Sequence, residues 1–143
     1  MIWKIFARLP GNFKKTEEYA RDCFQAGVIA VGWDRLGDLN KYKSREDVRA
    51  GLKKAYPNEV QRHPRKLSQW VGTLWGLKTK VKKGDFILCP DRLSDRVYLG
   101  RIASNKLSFD ESALGACEFA HRRAVDWAKV PLNGVDIQLL SVA

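Results

Sequence analysis

Tryptophan side chains stand at three places in the sequence where their flat rings could bind a planar ligand. Trp33 follows a strand-like apolar run and a glycine, at the point where the chain enters a polar turn. Trp70 and Trp75 lie in a segment whose apolar periodicity predicts a helix, and their spacing places them roughly 140° apart around it. Aromatic rings set among cations suit nucleic acid, because rings stack on exposed bases and cations hold phosphates. The alternative is that all three pack in the core or at its boundary.

The positive charge of the chain is concentrated in one segment. The formal net charge is +10, and residues 41–83 hold 13 basic and 3 acidic residues, an excess of ten. The remaining 13 basic and 13 acidic residues balance. A single-signed field of this kind attracts polyanions, although a solvated face without a partner is the alternative. A membrane surface is disfavoured, because the segment lacks a broad apolar face opposite its charge.

Residues for catalysis or metal binding are sparse. The two histidines, His63 and His121, have no second His or Cys at metal-ligand spacing, and no nucleophile, phosphate-loop or zinc-protease motif is present. Asp34 and Asp38 could chelate a metal, but carboxylates in a glycine-containing turn more often cap backbone amides. We therefore expect no enzymatic activity, no catalytic residue, no metal and no cofactor.

The cysteines and the apolar runs indicate the cellular compartment of the protein. An odd number of cysteines without CxxC spacing favours reduced thiols in a cytoplasmic protein, and the three are Cys23, Cys89 and Cys117. No apolar run approaches the ~20 residues of a membrane helix, and the start does not have the pattern of a secretory signal.

The periodicity and the turn signals predict one domain over residues 1–143. Thr16 and Ser44 are good N-caps, Gly27 is a helix stop, and Pro57 is expected to end the second helix. Trp3 and Trp127 fall in predicted strands and are expected in the core. The predicted strands are 2–9, 28–33, 82–90 (a turn, then a strand), 96–104, 106–110, 121–127 and 135–142, and the predicted helices are 16–27, 44–56 and 67–80. This order suggests an α+β fold, with a small antiparallel, barrel-like sheet flanked by about three helices.

An ordered set of motifs resembles the PUA-like superfamily. The resemblance is closest to the EVE/YTH-like modified-base readers at the N-termini of modification-dependent restriction proteins, and it covers about residues 1–130. The motifs that carry it are "IAVGWDRLGDL", "SREDVRAGLKKAYP", "WVGTLWGLKTKVKKGDFILCP", "YLGRIAS" and "HRRAVDW".

The resemblance implies a mechanism in which one base leaves the duplex and enters an aromatic cage. It assigns Trp33 to one wall and Trp75, or else Trp70, to the opposing wall. Relatives often carry a further aromatic residue after the Gly100 strand, where this chain offers only Phe109, at an offset. Candidate groups for the base edge are Asp34, Asp38 and Asn40. Candidate phosphate ligands are Lys41, Lys43, Arg62, Arg65, Lys66, Lys80, Lys82 and Lys83.

The expected function is that of a non-catalytic DNA-binding module that recognises a methylated or hydroxymethylated base by flipping it. Such a module would give specificity to a restriction or phage-defence system, with the nuclease or motor elsewhere in the chain or in another subunit. Two alternatives remain open. One is an RNA-binding PUA- or YTH-type module, and the other is a protein-interaction component whose basic segment binds an acidic partner.

Overall fold

A five-stranded mixed sheet organises the chain. The computed structural model describes residues 2–4, 18–110 and 119–129. Its strands are β1 (Ile2–Lys4), β2 (Val28–Val31), β3 (Phe86–Pro90), β4 (Val97–Phe109) and β5 (His121–Trp127). They lie in the order β1-β3-β4-β5-β2, with β1 parallel to β3 and every other neighbouring pair antiparallel.

Helices cover both faces of this sheet. They are α1 (Tyr19–Ala26), α2 (Arg45–Ala55), α3 (Pro57–Arg62) and α4 (Leu67–Thr79), with single 3-10 turns at Asp34–Leu36, Leu39–Lys41 and Pro64–Lys66. Side chains alternate along β2, so that Ile29 packs with the apolar residues of α2 and α4 while Ala30 packs with those of α1. The larger core therefore lies between the sheet and α2–α4, and this core contains Trp33 and Trp70.

Local signals predicted several element ends correctly. The Ser44 hydroxyl caps α2 by accepting a hydrogen bond from the Asp47 amide at 3.1 Å. Gly27 ends α1 in the left-handed conformation, φ 69°, where glycine carries no steric penalty. The β5 segment, 121–127, matches its predicted bounds.

The structure corrects other expectations. The α+β class is confirmed, but the described strands form an open sheet rather than a barrel, and β1 makes it mixed rather than antiparallel. The second helix ends before Pro57, as predicted, but Pro57 then begins a further helix, α3, that was not predicted, since proline needs no N–H partner at a first helical position. The strands predicted at 96–104 and 106–110 are one strand, β4, whose pairing with β5 shifts register between Ile102 and Leu107.

Some predicted features fall outside the described residues. These are the Thr16 cap, the part of the first strand after Lys4, Cys117 and the strand predicted at 135–142. Of the cysteines that are described, Cys23 and Cys89 are buried free thiols. Trp3 and Trp127 are only partly buried and pack at the edges of the cores.

A buried arginine joins the sheet to the end of α4. Arg123 on β5 is fully buried, and its guanidinium donates to the carbonyls of Leu77, Val81 and Ser104 at 2.8–2.9 Å. The Leu77 carbonyl belongs to the last turn of α4, where a helix has unpaired acceptors and a negative dipole end, and Val81 follows that turn. Arg123 therefore fixes the position of α4 over the sheet.

Candidate nucleic-acid interface

The backbone turns at Trp33 so that its side chain returns into the core. Trp33 has φ 60° and ψ 43°, the left-handed region, and it is the only non-glycine residue with positive φ among the described residues. This conformation costs an L-residue about 1–2 kcal/mol. The turn lets the chain leave β2 and begin the 3-10 helix Asp34–Leu36, and it leaves Trp33 only 2% exposed.

Trp33 packs directly against Trp70. The two ring centroids are 6.1 Å apart and the planes are inclined by 49°, within the usual range for aromatic pairs in contact. Trp70 is itself only 7% exposed. In this structure Trp33 and Trp70 are therefore buried against each other, and the assignment of Trp33 to a cage wall stays a prediction.

Trp75, the tryptophan favoured for the opposing wall, lies beside Lys78, a lysine that is hydrogen-bonded to two backbone carbonyls. The ammonium of Lys78 is 5.4 Å from the Trp75 ring centroid and donates to the carbonyl of Leu39 at 3.1 Å and to that of Tyr42. Trp75 is partly buried against the same core. The ring that contacts Trp33 is thus that of Trp70. Trp75 instead lies beside Lys78, whose hydrogen bonds connect the loop 39–42 to α4.

The same loop is also held against α2. Tyr42 donates its hydroxyl hydrogen to the Leu36 carbonyl at 2.9 Å and lies against Gly51, where a Cβ would be 2.8 Å from Cε1 of the ring. A side chain at residue 51 would clash with the Tyr42 ring, so glycine is needed for the ring to pack there. Together with Lys78, this contact fixes the turn that follows Trp33.

The three polar candidates are exposed but already hydrogen-bonded. Asp34 accepts from the Tyr56 hydroxyl at 3.3 Å. Asp38 accepts from both the backbone amide and the side-chain Nδ2 of Asn40, each at 2.9 Å. Asn40 Nδ2 also donates to the Leu107 carbonyl at 3.0 Å, so both of its hydrogens are used. Asp38 thus caps a turn, the alternative role considered for this pair of carboxylates.

His121 is a member of the site that no sequence pattern had indicated. It is fully buried at the start of β5, opposite Val31 on β2 and Phe109 on β4. Its Nε2 lies 3.0 Å from the Trp33 carbonyl, and its ring centroid is 5.2 Å from that of Phe109. His121 therefore brings Trp33 and Phe109 into one cluster. A lone histidine beside two arginines has no spacing that would have revealed this.

Burial lowers the pKa of His121 below its ordinary 6.5, partly opposed by its bond to the Trp33 carbonyl and the charges of Asp34 and Asp38. The folded state thus binds the proton less readily than the unfolded state. Stability from this group is complete above pH 6.5 and is lost as pH falls, until the folded-state pKa is passed.

We expect acid to destabilise the wild type more than His121→Gln between about pH 7.5 and pH 5.5, with a difference in slope of up to about 1.4 kcal/mol per pH unit. Urea unfolding followed by tryptophan fluorescence at several pH values measures this. Parallel profiles for the two proteins would show that His121 does not titrate differently in the folded state.

The eight candidate phosphate ligands are all exposed. They are Lys41, Lys43, Arg62, Arg65, Lys66, Lys80, Lys82 and Lys83. They lie in the 3-10 turns and at the element ends around α2–α4, and Lys41 and Lys43 flank Tyr42 at the end of the loop that follows Trp33. The basic segment and the cluster of Trp33, Trp70, Phe109 and His121 thus meet at the loop 34–43.

The described ranges contain neither a metal-binding cluster nor a helix that could span a membrane. No group of three or more His, Cys, Asp or Glu residues there could hold a metal ion. Within the same ranges, no helix is both long enough and apolar enough to span a bilayer.

Comparison with known proteins gives a family but no described relative. No curated protein and no solved structure matches the chain. The family model described as "Domain of unknown function (DUF8426)" matches residues 3–142, nearly the whole chain. The chain therefore belongs to the DUF8426 family.

Proposed function

We propose that this domain is a non-catalytic DNA-binding module of the PUA-like, EVE/YTH-like kind that recognises a methylated or hydroxymethylated base flipped out of the duplex. In this proposal it acts in the cytoplasm, as the specificity domain of a restriction or phage-defence system. The nuclease or motor belongs to another domain or subunit. The α+β architecture, with a mixed five-stranded sheet and helices on both faces, is compatible with such a fold.

One observation carries the proposal. The whole net charge of the chain lies in residues 41–83, and this segment begins at the loop that joins it to the buried aromatic cluster. Exposed cations can neutralise phosphates and release counterions, which supplies affinity without sequence preference. Aromatic groups beside such a surface can receive an extrahelical base.

The energetics set a requirement on this mechanism. Flipping costs a few kcal/mol and stacking returns about 1–3 kcal/mol per base. Because Trp33 is almost fully covered, a base can stack on it only if the covering residues move. A methyl group adds less than about 1 kcal/mol by buried area alone, so sharp discrimination depends on shape and on hydrogen bonds to the base.

Neutralising two cations of the basic segment should weaken DNA binding at every sequence. We expect Lys82→Gln/Lys83→Gln to reduce the slope of log K against log salt by about 2, because each phosphate contact contributes about 0.9 to the slope. Fluorescence anisotropy between about 50 and 200 mM salt measures it. The matched control is Arg96→Gln/Lys129→Gln, which makes the same charge change at exposed positions outside the segment. Equal effects of the two pairs would refute a localised phosphate surface.

A binding panel tests the recognition of a modified base. Duplexes that each carry one 5-methylcytosine, one 5-hydroxymethylcytosine or one N6-methyladenine are compared with the unmodified duplex and with matched RNA at fixed salt. We expect one modified DNA duplex to bind at least tenfold more tightly than the unmodified one. Tighter binding of RNA would favour the RNA-binding alternative. Absence of any complex at low salt would favour an acidic protein partner.

A further inference from the structure

Two buried nitrogen atoms of the aromatic cluster lack a hydrogen-bond partner within the described residues. They are Nε1 of Trp33 and Nδ1 of His121. The large majority of buried polar side-chain atoms are paired, and leaving one unpaired costs about 1–3 kcal/mol. A third such atom, Nε of Arg123, belongs to a guanidinium whose other nitrogens are bound to carbonyls. Both atoms belong to residues that are joined by the hydrogen bond between His121 Nε2 and the Trp33 carbonyl.

The bond between these two residues determines the tautomer of the histidine. A carbonyl oxygen can only accept, so Nε2 of His121 carries the hydrogen that is donated to the Trp33 carbonyl at 3.0 Å. In the neutral ring, Nδ1 is then an acceptor. The indole nitrogen of Trp33 is a donor only. The cluster therefore contains one unused acceptor and one unused donor, next to the rings of Trp70 and Phe109.

We propose that His121 Nδ1 and Trp33 Nε1 are the groups that read the hydrogen-bonding edge of the extrahelical base, a role that rests on the proposed function above. A nucleobase edge presents a donor beside an acceptor; adenine, for example, has N6–H₂ next to N7. The amino group of the base donates to His121, and an adjacent ring nitrogen or carbonyl accepts from Trp33. The base thereby satisfies both buried atoms at once.

This assignment replaces the polar residues expected from the sequence. Asp38 and Asn40 are engaged with each other and with the Leu107 carbonyl, and Asp34 accepts from Tyr56. All three are exposed, where water competes for their hydrogen bonds. His121 and Trp33 are desolvated. An unpaired hydrogen-bonding group of the base would therefore cost more free energy beside them than beside the three exposed residues.

Two substitutions at His121 separate reading from structure. His121→Gln places an amide N–H where Nε2 donates to the Trp33 carbonyl but offers no acceptor at the Nδ1 position. His121→Asn places an oxygen near the Nδ1 position but cannot reach the Trp33 carbonyl. We expect His121→Gln to fold like the wild type and to lose about tenfold of the preference for the best modified duplex over the unmodified one. We expect His121→Asn to be less stable and to keep more of that preference.

Which of the two variants keeps more preference for the modified duplex decides whether His121 reads the base or has only a structural role. If His121 is only a structural residue, His121→Asn loses more in both stability and preference, and the assignment is overturned. Undiminished preference in His121→Gln overturns it as well. The control is Arg96→Gln, an exposed position outside the cluster and the basic segment, which should keep the wild-type preference.

A direct measurement keeps this inference distinguishable from the proposed function. In long-range ¹H–¹⁵N spectra, the Nδ1 resonance of His121 should report an unprotonated nitrogen and should move when the best-binding oligonucleotide is added. If the wild type shows no preference in the panel, the proposed function fails. The resonance still decides the inference in that case, since an unmoved Nδ1 signal in a saturated complex overturns it.

Discussion

Replacing Arg123 with methionine should lower the free energy of unfolding by about 3 kcal/mol, because it leaves buried carbonyls without a donor. The guanidinium donates to Leu77 and Val81 at the end of α4 and to Ser104 on β4. Methionine has a similar length and fills the space, so the loss measured is mainly that of hydrogen bonds rather than of volume.

Two contributions to the loss of unfolding free energy in Arg123→Met have opposite signs. Each unsatisfied buried carbonyl costs about 1–3 kcal/mol, whereas removing a buried cation recovers part of its desolvation cost. Burial lowers the pKa of Arg123 below its usual range, because the buried charged form is desolvated. Three carbonyl partners outweigh that recovery, because two of them lie at the end of α4 and the third, Ser104, lies where β4 shifts register.

The matched control is Arg101→Met on the neighbouring strand. Arg101 is exposed and lies over the ring of Phe86 at 4.7 Å, so its loss should cost less than about 1 kcal/mol. Urea unfolding monitored by circular dichroism gives both values. Similar losses for the two variants would mean that Arg123 does not hold α4 as described. Arg123→Lys should fall between them, since lysine lacks the planar fork that reaches several carbonyls.

The sequence was informative about local structure and less so about how distant elements combine. Ser44, Gly27 and the alternation in β5 act over a few residues, so the ends they define could be predicted. The parallel pairing of β1 with β3 joins segments more than eighty residues apart, and no local pattern encodes it. The strand predicted to end after Ser104 continues because its register with β5 shifts, which is a property of the pair.

The candidate site shows the same division. Hydropathy placed Trp33 at a strand end but could not show that a left-handed backbone turns its ring inward, because that conformation is rare for tryptophan. Helical spacing separated Trp70 from Trp75 but could not tell which one meets Trp33. His121 joins the site through the pairing of β5 with β2 and β4, so its role could only be inferred once the sheet order was known.

Removing the Trp33 side chain should be the most damaging change at the site. We expect Trp33→Ala to reduce the free energy of unfolding by about 4 kcal/mol, since a large buried ring and its contact with Trp70 are lost. The control Trp75→Ala removes a partly buried ring and should cost about half as much. If the variant is studied where it remains folded, it should lose the preference for modified DNA while keeping salt-sensitive binding.

The backbone at residue 33 provides a sharper test than the size of that loss. Both Trp33→Ala and Trp33→Gly delete the ring, but only glycine adopts φ 60° without strain. Glycine should therefore be the more stable of the two by about 1 kcal/mol, although it has the larger unfolded-state entropy.

The opposite order is expected in a helix. At Ala50, an exposed position within α2, the change to glycine should destabilise by about 1 kcal/mol. Chemical unfolding of these variants compares the two sites under one condition. If alanine is favoured over glycine at both positions, then Trp33 does not occupy the left-handed region in solution. The strained turn would then no longer explain why its ring is directed into the core, against Trp70.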